Sequence, residues 1–542
     1  MGIYLNPGNS GFARIVNSSY VDKTGLISMI NHSIGTTENL TCISRPRRFG
    51  KSYAAQMLCA YYDWTCDSHE LFDRYCISGD ASYDLFINRY HVISLDITGF
   101  ISNAKKKRTS LGEIPAQIDA TLLKETQKLY PELKEIRDLN ECLLELVRVT
   151  GRKIVFVIDE WDSMIREAKD DNDTQESYLN LLRGWFKNNN FTPKAVAAAY
   201  ITGILPIKKD GSQSAISDFV EYSMLDPGKF AGYVGFTEEE VKRLCEESNR
   251  RFDEMKRWYD GYTVGVKHSI YNPYSVMHAI RSGKMKSYWR KTSAAETLMT
   301  YIDMDQDGLQ DTIVRLMAGE SIVVDPDSFQ NDVETFTCKD DVLTLLIHLG
   351  YLTYEEESDS YEDDTVEGLV TIPNEEVRTE FDKILRKAKH KSLIEMVQKS
   401  DQLLSDTLKG KSDAVARAIA EVHDSEYAPT YYNNEQSLRY VVKMAYISCV
   451  DQYAKVEELP SGHGVADVVF WPKRRSTLPA LIVELKWNKD AEGAIKQIIN
   501  RNYPDALSHY GGKIILVGIN YDENTKKHTC KIEEFHRAAE KK

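Results

Sequence analysis

At 542 residues the chain is too long for one hydrophobic core, and ordinary domain sizes predict three or four units. Its formal net charge of −14 excludes a protein that coats nucleic acid through bulk positive charge. Nine scattered cysteines without a Cys-x-x-Cys pair imply neither a disulfide framework nor a zinc site. No apolar run reaches the roughly eighteen residues of a membrane span. The opening MGIYLNPGNSGF lacks a basic-then-apolar leader pattern, so a cytoplasmic protein with no membrane partner is expected.

From Asn39 to Tyr62 the chain reads NLTCISRPRRFGKSYAAQMLCAYY, which predicts a short strand, a loop ending in Gly50-Lys51-Ser52, and an amphipathic helix. This is the layout of a phosphate-binding loop. Backbone N–H groups at the helix start cradle phosphates, Lys51 reaches the outer ones, and the Ser52 hydroxyl ligates Mg²⁺. The full G-x-x-x-x-G-K-[ST] pattern asks for glycine where this chain has Arg45, and Arg45 and Arg48 join Gly50 as candidate nucleotide contacts. Further on, RKIVFVIDEWD predicts a strand ending in Asp159-Glu160. Asp159 would hold the Mg²⁺ shell and Glu160 would polarise the attacking water. A third apolar run, AVAAAYIT, ends at Thr202, a candidate contact to the terminal phosphate. Strand-like runs around Ile43, Ile93 to Ile97, Val155 to Ile158 and Ala197 to Ile201 alternate with helical patterns such as IPAQIDATLLKETQKLY and LNECLLELVRV. The expected fold of residues 1–235 is therefore an α/β domain of P-loop NTPase type, a parallel sheet with helices on both faces.

Residues 236–320 read as a helical lid, from FTEEEVKRLCEES, with a threonine N-cap and glutamate three residues on, to SAAETLMTYI. In 321–406 the order is helix, strand, hairpin loop, strand, helix, which is winged-helix-like. The loop, YEEESDSYEDDTVE from Tyr354 to Glu367, is strongly acidic and would repel phosphate. This module is therefore expected to pack internally or to meet a protein partner. WYDGY and YNPYSV read as turn and core around Gly261 and Pro273.

Residues 407–542 carry the second concentration of chemistry. Asp467 lies in the apolar run GHGVADVVFWP, and Glu484 and Lys486 lie in LPALIVELKWN, so each acid interrupts a predicted buried strand. Glu484 and Lys486, two apart, share a strand face, and a neighbouring strand can set Asp467 opposite them. The two carboxylates can then hold Mg²⁺ or Mn²⁺ while the ammonium steadies a phosphate or orients water. Glu435 lies in a helical pattern before these strands, Gln497 and Tyr503 lie in one after them, and KRR at Lys473 to Arg475 sits in the turn beside the site. KIILVGINYD and HTCKIEEF predict two further strands.

An aspartate followed seventeen residues later by E-x-K on adjacent strands resembles the PD-(D/E)XK nuclease superfamily. That resemblance implies catalytic and metal roles for Asp467 and Glu484, a catalytic role for Lys486, an added carboxylate from Glu435, and Gln497 orienting groups at the site's edge. Together with YVDKT, SRPRRFGKS, VIDEWD, WYDGY, YNPYSV and IPNEEVR, the chain resembles the bacterial and archaeal AAA-ATPase-like proteins that end in a PD-(D/E)XK domain, in which an arginine at the Arg45 position is normal. The resemblance implies an ATP-binding, ATP-regulated, Mg²⁺-dependent nuclease acting on nucleic acid, DNA favoured, with a protein partner or homo-oligomer. The alternative is a nucleotide-switched nucleic-acid- or protein-binding scaffold whose nuclease fold does not cut.

Overall fold

The computed structural model describes residues 2–169, 171–207, 216–264, 268–289, 308–327, 329, 336, 338–356, 368–385, 391–423, 435–447, 453–461, 464–472, 478–501, 503 and 512–535. The chain forms two compact units, one of residues Met1–Tyr288 with Val323–Asn374 and one of Trp289–Ile322 with Glu375–Lys542. The sequence-based divisions after 235, 320 and 406 do not coincide with these breaks: the expected lid and hairpin segments fall largely in the first unit, and the helices Glu375–Leu385 and Lys391–Leu408 fall in the second.

The first unit is built on β1 (Leu40–Ser44), β2 (His91–Asp96), β3 (Ile154–Asp159), β4 (Val196–Gly203) and β5 (Val220–Tyr222), in the order β2-β3-β4-β1-β5. Every pairing is parallel. A parallel sheet needs crossover helices that cover both faces, which is why β3 and β4 read as almost unbroken apolar runs and β1 is buried along its whole length. On one face Ile93, Phe156, Ile158 and Ile201 pack with Ile118, Leu143, Leu182 and Trp185 from the helices Ile114–Leu129, Leu139–Thr150 and Asn172–Phe186. On the other, the helix Lys51–Tyr62 lies against β2, β3 and β4. The P-loop fold expected from the sequence is present, with the carboxyl ends of β1, β3 and β4 side by side.

The segment expected to be a helical lid also contains three short strands: β6 (Phe236–Thr237), β7 (Tyr262–Val264) and β8 (His268–Tyr271), in the order β6-β8-β7. Runs of two to four residues are too short to show a period of two, so of this segment's described elements the helix Glu238–Glu247 was legible, while WYDGY and YNPYSV, read as turn and core, also contribute to the helices Phe252–Tyr259 and Pro273–Ser282. The first of these starts with a capping box: Thr237 Oγ1 accepts from the Glu240 N–H at 3.4 Å, and Glu240 Oε2 accepts from the Thr237 N–H at 2.8 Å. Thr237→Ala is expected to cost about 1 kcal/mol of stability, read as a lower urea midpoint at unchanged slope. In YNPYSV, Asn272 Oδ1 caps the helix Pro273–Ser282 by accepting from the N–H groups of Tyr274 and Ser275 at 3.0 and 3.3 Å. The predicted helix SAAETLMTYI lies outside the described residues.

A three-stranded sheet follows, of β9 (Ile322–Val324), β10 (Thr353–Glu356) and β11 (Gly368–Thr371) in the order β10-β11-β9, with β10 and β11 antiparallel. The helix Lys339–Leu349 precedes β10, as expected from the sequence, and most of the acidic loop, 357–367, lies outside the described residues.

The second unit is a mixed sheet of β12 (Tyr453–Ser461), β13 (Gly464–Pro472), β14 (Ala480–Trp487), β15 (Ile514–Asp522) and β16 (Lys527–Phe535), ordered in sequence. Only β14 and β15 run parallel, and the helix Ala491–Asn500 lies between them in the chain. Val468, Phe470, Leu481, Val483 and Leu485 join Leu438, Val441 and Val442 of the helix Glu435–Ala445 in one core. Val469, Ile482, Ile495, Ile498 and Leu516 form the other. Alternation along the strand thus puts Glu484 and Lys486 on the Ile482 side, toward the helix Ala491–Asn500. Among the described residues no helix is long and apolar enough to cross a membrane.

Candidate functional site

The chain leaves β1 at Ser44 and turns through Arg45 to Gly50 into the helix Lys51–Tyr62. Gly50 has φ +98° at the N-cap, a left-handed conformation that a side chain would strain, and Arg48 has φ +72°. This turn aims the first N–H groups of a twelve-residue helix at one side of a cavity of about 360 Å³. Arg48, Gly50, Lys51, Ser52 and Glu160 line it at the loop, and Tyr20, Met57, Phe236, Tyr274 and Met277 give it an apolar part. Lys51 is only 4 % exposed. Its ammonium donates to the carbonyls of Arg45 (2.9 Å) and Pro46 (3.1 Å) and lies 3.5 Å from Glu160 Oε1.

Glu160 takes φ +55° just after β3. Its second oxygen pairs with Arg166 at 2.8 Å, and Arg166 also pairs with the buried Asp162 at 2.9 Å. Asp162 in turn accepts from the N–H groups of Ile204 and Leu205, so the turns after β3 and β4 are tied together. Asp159 and Thr202 meet as the sheet register requires: the Thr202 hydroxyl donates to Asp159 at 2.5 Å and accepts from the Glu160 N–H at 3.3 Å. Thr202 is fully buried, and neither it nor Asp159 lines the cavity.

Arg45 differs most from its sequence reading as a nucleotide contact. It is fully buried and does not line the cavity. Its N–H extends the ladder to the Gly203 carbonyl at 3.1 Å, and its guanidinium donates to the carbonyls of Ser44 (3.0 Å), Tyr222 (3.2 Å) and Ser223. Burial pushes the guanidinium down to about 10. Because this residue continues β1 rather than opening the turn, its side chain follows the strand into the interior and ties the loop to the end of β5.

In the second unit, the β13/β14 ladder pairs Val468 with Val483, and the next step in that register places Asp467 beside Glu484. There Asp467 Oδ2 accepts from the Leu485 N–H at 2.8 Å, and Oδ1 pairs with Arg439 at 2.7 Å. Glu484 Oε1 accepts from the Lys486 ammonium at 3.0 Å and from the Gln497 amide, and Lys486 also donates to the Leu485 carbonyl at 2.9 Å. All three strand residues are buried: Asp467 is 7 %, Glu484 2 % and Lys486 6 % exposed.

Such carboxylates suit a hard divalent cation, since Mg²⁺ and Mn²⁺ take oxygen ligands. Among the described residues no three or more His, Cys, Asp or Glu converge as a cage, so the other positions around an ion on Asp467 and Glu484 fall to backbone carbonyls, water or substrate oxygens. Glu435 opens the helix Glu435–Ala445, but its side chain and the cluster at 473–475 lie outside what the structure describes. Tyr503 is buried beside the Ile495 and Ile498 core.

Gly518, the register partner of Glu484 on β15, lets the helix Ala491–Asn500 sit close on the sheet. An added Cβ would strike the Ala491 carbonyl and approach Ala494 Cβ to 2.9 Å. Gly518→Val is expected to lift this helix and withdraw Gln497 from Glu484, costing about 1–3 kcal/mol by overpacking, as thermal melting would show.

Sequence reading missed Arg439 and Arg166. Each carries a quiet signal: Arg439 stands four residues after Glu435 and Arg166 four after Asp162, so each shares a helical face with an acid or with the position of one.

Residues 8–212 match the family described as a predicted AAA-ATPase, and residues 433–531 match the PD-(D/E)XK nuclease superfamily. No curated protein matches the chain. Among solved structures, a Walker-type ATPase of Pyrococcus abyssi shares 13 % identity over 66 % of this chain and 94 % of its own, with a TM-score of 0.30. The Aeropyrum pernix ORC2 protein, solved in ADPNP-ADP complexes, shares 11 % identity over 68 % of this chain and 96 % of its own, with a TM-score of 0.29.

Proposed function

We propose that this chain, with its predicted AAA-ATPase domain and its PD-(D/E)XK nuclease-superfamily domain, is an ATP-regulated, Mg²⁺-dependent nuclease of the cytoplasm, cutting phosphodiester bonds with DNA favoured. The observation that carries this reading is the meeting of Asp467, Glu484 and Lys486 at one point of the sheet. Asp467 and Glu484 would hold the metal, which supplies Lewis-acid stabilisation of phosphate charge and an acidified water. The Lys486 ammonium, fixed by Glu484 and the Leu485 carbonyl, stands where it can orient water or meet a phosphate oxygen. Gln497 holds Glu484 in place from the helix.

At the other site, phosphates entering the cavity would replace the Arg45 and Pro46 carbonyls as partners of Lys51, with Ser52 facing the same space. Asp159 would complete the Mg²⁺ shell, and Glu160 would orient the attacking water. Thr202 acts through its hydrogen bond to Asp159.

Incubating the protein with supercoiled DNA and, in parallel, with single-stranded RNA tests this reading. DNA nicking is expected with Mg²⁺ or Mn²⁺, lost in chelator, and altered in rate by ATP. No cutting of either substrate under any of these conditions would leave the scaffold reading in its place.

A further inference from the structure

The helix Ala491–Asn500 reaches the strand residues through Gln497, whose amide donates to Glu484. One turn further on stands Arg501, which closes the helix: its backbone N–H donates to the Gln497 carbonyl at 3.0 Å. Residues four apart stack on one helical face, so Arg501 shares with Gln497 the side of the helix that meets Glu484. Arg501 is exposed, and its Nη1 donates to the Tyr503 hydroxyl at 3.3 Å. Tyr503 is a firm anchor, because its buried ring packs in one core with Ile495 and Ile498 of the same helix. The hydrogen bond to Tyr503 first, and then the charges of Glu484 and Asp467, hold the guanidinium above the ordinary arginine range, so this cation lies in the field of both carboxylates.

Other cations of this region are placed differently. Arg439 pairs with Asp467 and Lys486 with Glu484, and both are largely withdrawn from solvent. Lys496 is exposed but pairs with Glu492 one turn back on the helix, at 3.2 Å.

From this geometry we infer that Arg501 is a substrate-holding residue: standing at the rim of the site, it binds a backbone phosphate of the nucleic acid beside the bond that is cut. The inference rests on the nuclease reading of Asp467, Glu484 and Lys486.

The chemistry of the side chain supports this. A guanidinium presents a planar fork of N–H donors that matches the oxygens of a phosphate, and an exposed one meets a strand at the surface. A chain of net charge −14 holds a polyanion through local cations rather than through its overall field. A divalent ion on Asp467 and Glu484 offsets the repulsion these carboxylates exert on a phosphate, and Arg501 then stands where the strand passes the edge of the site. Its place at the helix end, outside the buried triad, suits holding the strand rather than breaking the bond.

Cleavage kinetics on the full chain test this, with DNA and RNA as parallel probes. Arg501→Gln should raise the KM of the nucleic acid that is cut roughly tenfold while kcat changes far less, and the slope of log KM against log salt should fall by about one. Arg501→Lys keeps the charge and loses the planar fork, so it should restore the slope and only part of the affinity. A parental KM and salt slope in a folded Arg501→Gln protein would overturn the inference. So would a loss confined to kcat or to the melting temperature, which marks a helix-end role. Phenylglyoxal labelling of Arg501 in the non-cutting Lys486→Met chain, read by peptide mass spectrometry, should fall several-fold when saturating nucleic acid is added with Mn²⁺. Labelling that ignores nucleic acid would overturn the inference even if both Arg501 variants fail to fold. If the parent cuts neither DNA nor RNA, the nuclease reading fails and the role of Arg501 with it; cutting that is indifferent to Arg501 sinks this role alone.

Discussion

Lys486→Met is expected to reduce phosphodiester cleavage on the order of 10³-fold or more while leaving the protein folded and able to bind Mn²⁺. Methionine keeps most of the apolar stem of the lysine and removes only the ammonium, so the packing beside Ile482 and the helix Ala491–Asn500 is preserved. Glu484 keeps the Gln497 amide as a hydrogen-bond partner, which limits the cost of losing its cation. Glu484→Ala should act differently, because it removes a metal-holding carboxylate: both cleavage and Mn²⁺ affinity fall. Single-turnover cleavage, Mn²⁺ calorimetry and thermal melting on the two variants separate the roles. Cleavage by Lys486→Met at the parental rate would remove this lysine from the chemistry.

Lys51→Ala should weaken ATP binding roughly a hundredfold, equivalent to ~3 kcal/mol and at the upper end for a charged hydrogen bond. The geometry of the loop shows why so much rests on one side chain. The ammonium is buried, held by two carbonyls of its own loop, and borders the cavity that the helix N-terminus faces. Glu160→Gln should instead leave nucleotide binding near parental and slow hydrolysis by about 10²-fold, since the amide retains a hydrogen-bond acceptor for Arg166 but cannot activate water. Fluorescent-nucleotide anisotropy reads the first effect and phosphate release the second. A Lys51→Ala protein whose DNA cleavage responds to ATP as the parent's does would sink the proposed regulation.

The strands that carry chemistry were legible because each is an apolar run broken by one acid at a strand-compatible position. VFVIDE, ADVV and IVELK announce both buried strands and the residues that end or interrupt them. Motif spacing could not tell which way a side chain turns. Arg45 stands where a phosphate-binding loop expects glycine, yet continuing the β1 ladder by one residue sends it inward, and only the register to Gly203 reveals that. Arg439 was missed for a related reason. A helix presents many charged residues, and what distinguishes this one is a carboxylate on a strand far along the chain. The short strands β6, β7 and β8 escaped because two to four residues hold too little periodicity to outweigh the helices beside them.

The alternation of the chain between its two units, at 288/289, 322/323 and 374/375, has a practical and an evolutionary meaning. No single cut releases either unit whole: a fragment ending at Tyr288 lacks the hairpin β10–β11, and one beginning at Glu375 lacks the helix Leu309–Ala318. The two units are therefore interleaved in sequence, although the ATPase match, 8–212, and the nuclease match, 433–531, each lie within one uninterrupted stretch. Recombination that trades one for another must keep both excursions of the backbone, so the two halves are expected to be inherited together.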